Sequence, residues 1–130
     1  MTKVQALYLF WRGFGLPAIE ENSAYDEEAM RQQGIDFPYI SYEIQSSHLG
    51  EPIAMTASLW YKTTTLTNIE AKAQEIADRI GYGGKKIKID GGYMKIMLPQ
   101  DSTTYQNMEA EADNVRRVVF NILVDYMTAT

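Results

Sequence analysis

Phe37-Pro-Tyr-Ile-Ser-Tyr-Glu-Ile44 and Ile53-Ala-Met-Thr-Ala-Ser-Leu-Trp-Tyr61 decide the fold class. In the first run Ile40, Tyr42 and Ile44 share one face, and Tyr39, Ser41 and Glu43 share the other. In the second, Ile53, Met55, Ala57, Leu59 and Tyr61 alternate with Ala54, Thr56, Ser58 and Trp60. A period of two in β-branched and aromatic residues is the signature of strands, because successive side chains point to opposite faces. The polar Ser46-Ser-His-Leu-Gly-Glu-Pro52 between them is predicted to turn the chain, giving strands over Tyr39–Gln45 and Ile53–Lys62.

Working toward the C-terminus, Thr67-Asn-Ile-Glu70 has the spacing of a capping box, in which Thr and Glu satisfy each other's orphan backbone donors. It opens a predicted helix over Asn68–Ile80 with Ile69, Ala73, Ile76, Ala77 and Ile80 as its apolar stripe, stopped by Gly81 or Gly83. Lys85 to Leu98 reads as a hairpin with strands Lys86–Asp90 and Tyr93–Leu98. A Gly91-Gly92 turn would oppose Lys88 to Lys95 and Ile87 to Ile96. Pro99 to Glu109 reads as a polar connection. Val115–Tyr126 then alternates Val118, Phe120, Ile122, Val124 and Tyr126 with Arg117, Val119, Asn121, Leu123 and Asp125. Apolar residues on both faces predict a central strand.

Toward the N-terminus, Thr2 to Arg12 reads as a helix capped by Thr2 and Gln5, with Val4, Leu7, Tyr8 and Trp11 on one side. Leu16 to Gly34 is irregular and acidic (Glu20, Glu21, Asp26, Glu27, Glu28), with a weak helical pattern over 24–33. The fold class expected is therefore α+β: a mixed, mainly antiparallel β-sheet with an N-terminal helix and one central helix packed on it. Ile76, Ile80, Ile87, Ile96, Phe120, Ile122 and Val124 are the predicted core.

Composition narrows the function classes. The 130 residues fit one domain, 1–130, and 45% hydrophobic with 22% charged residues suits a packed core. No apolar run reaches the roughly 18 residues a membrane span requires. Met1-Thr-Lys-Val-Gln5 lacks the apolar centre and cleavage site expected of a secretory signal. The absence of cysteine excludes a disulfide scaffold, a thiol nucleophile and a thiolate zinc site. A net charge of −5 disfavours a general nucleic-acid binder, which needs surplus Lys and Arg against phosphate.

Candidate chemistry is sparse. His48 sits in the turn with no second His or placed carboxylate, and Glu109, Glu111 and Asp113 precede a strand in one-sided spacing. No nucleophile elbow or phosphate loop occurs. The expectation is no enzyme, no cofactor and no catalytic or metal site. Candidate interface residues are Tyr8, Trp11 and Phe14, from an aromatic surplus that either covers the sheet or meets a neighbour. Lys86, Lys88 and Lys95 join them from the polar hairpin face, which is either solvated or a docking patch for an acidic partner surface or DNA phosphate.

Several short strings follow one another in order along nearly the whole chain: Phe14-Gly-Leu-Pro-Ala, Pro38-Tyr-Ile-Ser-Tyr-Glu, Leu59-Trp-Tyr, Ala73-Gln-Glu-Ile-Ala-Asp-Arg-Ile-Gly, Ile89-Asp-Gly-Gly-Tyr and Arg117-Val-Val-Phe-Asn-Ile-Leu-Val-Asp-Tyr. Together they resemble the tail terminator, or tail-to-head joining (tail completion), proteins of long-tailed bacteriophages with non-contractile tails. The resemblance implies a structural virion protein that caps the tail tube as a homo-oligomeric, hexameric ring and ends tube polymerisation. It implies tail-tube and head-connector or head-completion partners, and a place at the head-proximal end of the tail after assembly in the host cytoplasm. DNA would pass through the ring without specific binding, and no membrane would be involved. The alternatives are a head-completion or minor capsid protein, and a small adaptor binding protein or nucleic acid through the Lys85 to Lys95 face.

Overall fold

The computed structural model describes residues 1–20, 37–44, 52–99, 103–108 and 114–128. The predicted 24–33 helix, the 46–51 part of the turn with His48, most of the acidic cluster, and Glu109, Glu111 and Asp113 lie outside them. The elements are α1 (Lys3–Arg12), β1 (Ala18–Glu20), β2 (Tyr39–Tyr42), β3 (Ile53–Lys62), α2 (Thr67–Ile80), β4 (Lys85–Ile89), β5 (Gly92–Met97), β6 (Tyr105–Met108) and β7 (Val115–Thr128). This is an α+β fold with one mixed, mostly antiparallel, curled sheet of seven strands.

β7 is the strand on which the rest is arranged. β3 pairs along its first ten residues, from Val115 against Lys62 to Val124 against Ile53. On its other edge β5 takes Leu123–Thr128 and β6 takes Arg117–Phe120. The full order is β1-β2-β3-β7-β5-β4, with β6 beside the first half of β7. Among the described strands only the β1/β2 pair is parallel. β1 and β6 run through stretches whose composition predicts loops. With three and four residues neither has a period of its own, and each exists because a neighbouring strand offers unpaired backbone.

Both helices pack on the face of Val118, Phe120, Ile122, Val124 and Tyr126, and all five residues are buried. α2 buries the predicted stripe Ile69, Ala73, Ile76, Ala77 and Ile80 without exception. Its start differs from expectation. Leu66 occupies the cap with no side-chain hydrogen bond, so Thr67 is already helical and the capping box does not form. Leu66 packs against the core, and that burial sets the first turn one residue early. Gly81, at φ 69°, ends the helix and donates to the Ala77 carbonyl.

α1 has the predicted Thr2/Gln5 capping box, but its buried side is Ala6, Leu7, Phe10 and Trp11. Val4 stays exposed and Tyr8 half-buried. Apolar residues surround this helix, so spacing alone leaves its rotation open. Ring packing settles it: Phe10 meets Trp11 edge-on at 4.9 Å and Phe14 at 5.3 Å, and Trp11 lies edge-on to Phe120 at 6.3 Å. α2 then clamps the loop after α1. Arg79 Nη1 donates to the Gly13 carbonyl at 2.6 Å, and Lys72 Nζ to that of Phe14 at 2.9 Å.

The β4/β5 hairpin turns one residue earlier than predicted, at Asp90-Gly91, with Gly91 at φ 81°. Ile87 therefore opposes Met94, and Lys86 rather than Lys88 opposes Lys95. Moving both partners by one residue preserves the parity of the faces, so Ile89, Met94 and Ile96 are still buried. Ile87, near the free edge, is only half-buried.

Candidate interaction surface

Because side chains alternate, the sheet face away from the helices is also fixed by register. β7 presents Arg117, Val119, Asn121, Leu123 and Asp125 there. β3 adds Ala54, Thr56, Ser58 and Trp60, and the hairpin adds Lys86, Lys88, Tyr93, Lys95 and Met97. No helix among the described residues covers this face, and its residues are mostly exposed or half-buried.

At one end, cross-strand pairing aligns Tyr39, Trp60 and Arg117 in a single row. The Tyr39 and Trp60 rings stack at 6.1 Å and 15°, and the Arg117 guanidinium lies 4.9 Å over Trp60. The next row supplies Ser41 and Ser58, both buried. Ser41 Oγ accepts from Trp60 Nε1 at 3.0 Å, and Ser58 Oγ accepts from Arg117 Nε at 3.1 Å. The guanidinium is thus held by a ring on its face and a hydroxyl on its inner edge. Nη1 and Nη2 meet no acceptor among the described residues. A guanidinium ordered in advance has little rotamer freedom left to lose when it meets a carboxylate, which it binds with two parallel donors.

At the other end Asp125 pairs across strands with Lys95, and Lys95 with Lys86. Asp125 Oδ1 is buried and has no hydrogen-bond partner. Lys86 turns away from Lys95, with its ammonium 5.0 Å over the Tyr93 ring. Lys86 and Lys88 are exposed on β4, which pairs only with β5 among the described residues. Lysines on such an edge also discourage indiscriminate strand pairing.

The six interface candidates from the sequence therefore separate. Lys86, Lys88 and Lys95 come together on the open face. Trp11 and Phe14 do not belong to a surface: they are 1% and 2% exposed and complete the core. Tyr8 is on α1, where its hydroxyl accepts from Arg12 Nη1 at 2.7 Å. Sequence reasoning did not single out Trp60, Arg117 and Asp125, which share this face. The available signal was two opposite charges at the ends of the polar face of one strand.

A second concavity, of about 750 Å³, lies between the end of α2 and the segments Leu98–Pro99 and Thr104–Tyr105. Tyr82 stands at its rim, fully exposed in the turn Gly81-Tyr82-Gly83-Gly84. The Tyr105 hydroxyl donates to Gln74 Oε1 at 3.1 Å across it. Among the described residues no three His, Cys, Asp or Glu side chains gather as a metal site. No helix among them is long and apolar enough to cross a membrane. Burial pushes the Tyr126 hydroxyl up to about 12, and burial with the nearby Tyr8 and Glu20 does the same to Tyr42. Both sit in the core and stay neutral at physiological pH.

No protein-family model matches the chain, and no curated protein matches it either.

Proposed function

We propose that this protein works by assembly, through non-covalent docking of its open sheet face and the adjoining lysine hairpin, without catalytic turnover. One observation carries the reading. On a single face, Arg117 is fixed by Trp60 and Ser58 with its outer nitrogens unpaired among the described residues, while Asp125 holds a buried oxygen with no partner. An ordered guanidinium has little freedom left to lose on docking, whereas Asp125 Oδ1 lies too deep for a partner to reach and contributes only the negative charge of its half-buried carboxylate. The sequence resemblance supplies the specific form: six copies in a ring that ends the tail tube of a long-tailed phage and meets the head connector. In a closed ring each subunit presents one patch to a different patch of its neighbour, and the exposed β4 edge and the Tyr82 turn are two surfaces available for that contact.

The test is electron microscopy of particles from the encoding phage. Lys86→Glu with Lys88→Glu is expected to yield tails of abnormal length or unjoined heads and tails. Normal virions at normal titre would take the lysine edge out of the mechanism. Abundant virions after deletion of the gene would end the tail-completion reading.

A further inference from the structure

The open row of β7 reads Arg117, Val119, Asn121, Leu123, Asp125, and it is complementary to its own reverse. Asn121 is the centre. Val119 and Leu123 flank it as apolar residues of similar size, and a cation and an anion stand four residues to either side. The neighbouring strand repeats the symmetry. Thr56 pairs with Asn121, and the small residues Ala54 and Ser58 lie two positions from it on each side. The two charged ends are a guanidinium whose outer nitrogens meet no acceptor among the described residues and a half-buried carboxylate whose Oδ1 is turned inward.

We propose that a second copy of this chain packs on the open sheet face across a two-fold axis running through Asn121 and Thr56, at right angles to the strands. β7 then lies antiparallel over its counterpart, Arg117 of each copy meets Asp125 of the other, and Val119 packs against Leu123. Ala54 faces Ser58, which lets the sheets approach at β3. Sheets stacked face to face lie about 10 Å apart, a gap that one arginine and one aspartate side chain span together. Arg117 and Asp125 are about 26 Å apart along an extended strand, so each copy gives and receives one ion pair at opposite ends of the contact. The inference rests on the open face being an assembly surface. It does not depend on the ring or on the phage tail.

The experiment is sedimentation equilibrium on the full chain, with circular dichroism to verify folding. Wild type is expected to be a dimer at micromolar concentration. Arg117→Asp and Asp125→Arg, each alone, set two like charges against each other twice, and should raise the dimer Kd by upwards of about 100-fold. An equimolar mixture of the two single variants should dimerise, because every contact in the mixed pair is then of opposite charge. Arg117→Asp with Asp125→Arg in one chain should restore the homodimer. If either reversal fails to fold, Asn121→Arg, which sets a cation against itself on the axis, takes its place and should give a folded monomer. A monomeric wild type, or single variants that dimerise as well as wild type, or a mixture that stays monomeric, each overturns the proposal. The virion count of the previous section is scored separately, so the two-fold pair can fail while the tail reading stands, and the reverse.

Discussion

β7 has two faces built from interleaved residues of one strand, and they obey different rules. Toward the helices stand Val118, Phe120, Ile122, Val124 and Tyr126, all at most 1% exposed, with Trp11 and Tyr105 packed on Phe120. Away from them stand Arg117, Val119, Asn121, Leu123 and Asp125, all half-buried. The first face gains from removing apolar area from water and is satisfied within one chain. The second mixes charge, amide and apolar groups, and leaves polar atoms without partners among the described residues. On the proposed reading, a strand central to the sheet carries stability on one side and docking on the other.

The largest expected effect falls on the first face. Ile122→Ala, a buried large-to-small change, should lower the unfolding free energy by about 2–5 kcal/mol in urea titration. A shift near zero would mean the faces are assigned the wrong way round. The same face predicts alkaline sensitivity. Tyr42 and Tyr126 ionise near 12 when folded, above their ordinary value of 10.0. The neutral phenol is thus favoured by folding, so stability is complete below pH 10 and drains away as pH rises through about 12. Each tyrosine accounts for on the order of 2–3 kcal/mol of that loss. Tyr126→Phe should flatten the alkaline limb in thermal melts, and an unchanged slope would exclude Tyr126 as its origin.

A backbone effect comes next. Gly84 sits at φ 76° where a Cβ would lie 2.9 Å from the Ile96 carbonyl oxygen. Gly84→Ala should cost about 1–3 kcal/mol through strain and loosen the β4/β5 hairpin. Hydrogen exchange localised to Lys85–Met97 would register it. Smallest of all, Lys86→Glu with Lys88→Glu should move stability by less than about 0.5 kcal/mol, since both side chains are exposed. A large loss there would blur the division between a stabilising and a recognising face.

The stabilising face was legible from sequence because it is periodic. The α2 stripe and the even residues of β7 follow from spacing alone. The hairpin faces survived a wrong turn because parity outlasts register. Elements without periodicity were not legible: β1 and β6 owe their existence to pairing supplied by distant strands. The rotation of α1 was hidden for a related reason, since Phe10, Trp11 and Phe14 are sorted by ring packing against Phe120 rather than by spacing. The proposed docking face was hidden most. Trp60 and Arg117 become neighbours only once β3 and β7 are in register, and nothing local joins residues that far apart in the chain.

A single thiol tests most directly the claim that the open face meets its own copy. The chain has no cysteine, so Asn121→Cys introduces one reactive group per subunit, on the proposed axis. Two such thiols would face each other across the sheet gap, within reach of a bismaleimide of about 10 Å. Tyr93→Cys, exposed on the same face, would lie about 40 Å from its counterpart. Two-fold stacking predicts a covalent dimer from Asn121→Cys and none from Tyr93→Cys at equal concentration; linking at Tyr93→Cys but not at Asn121→Cys, or at neither, would contradict it.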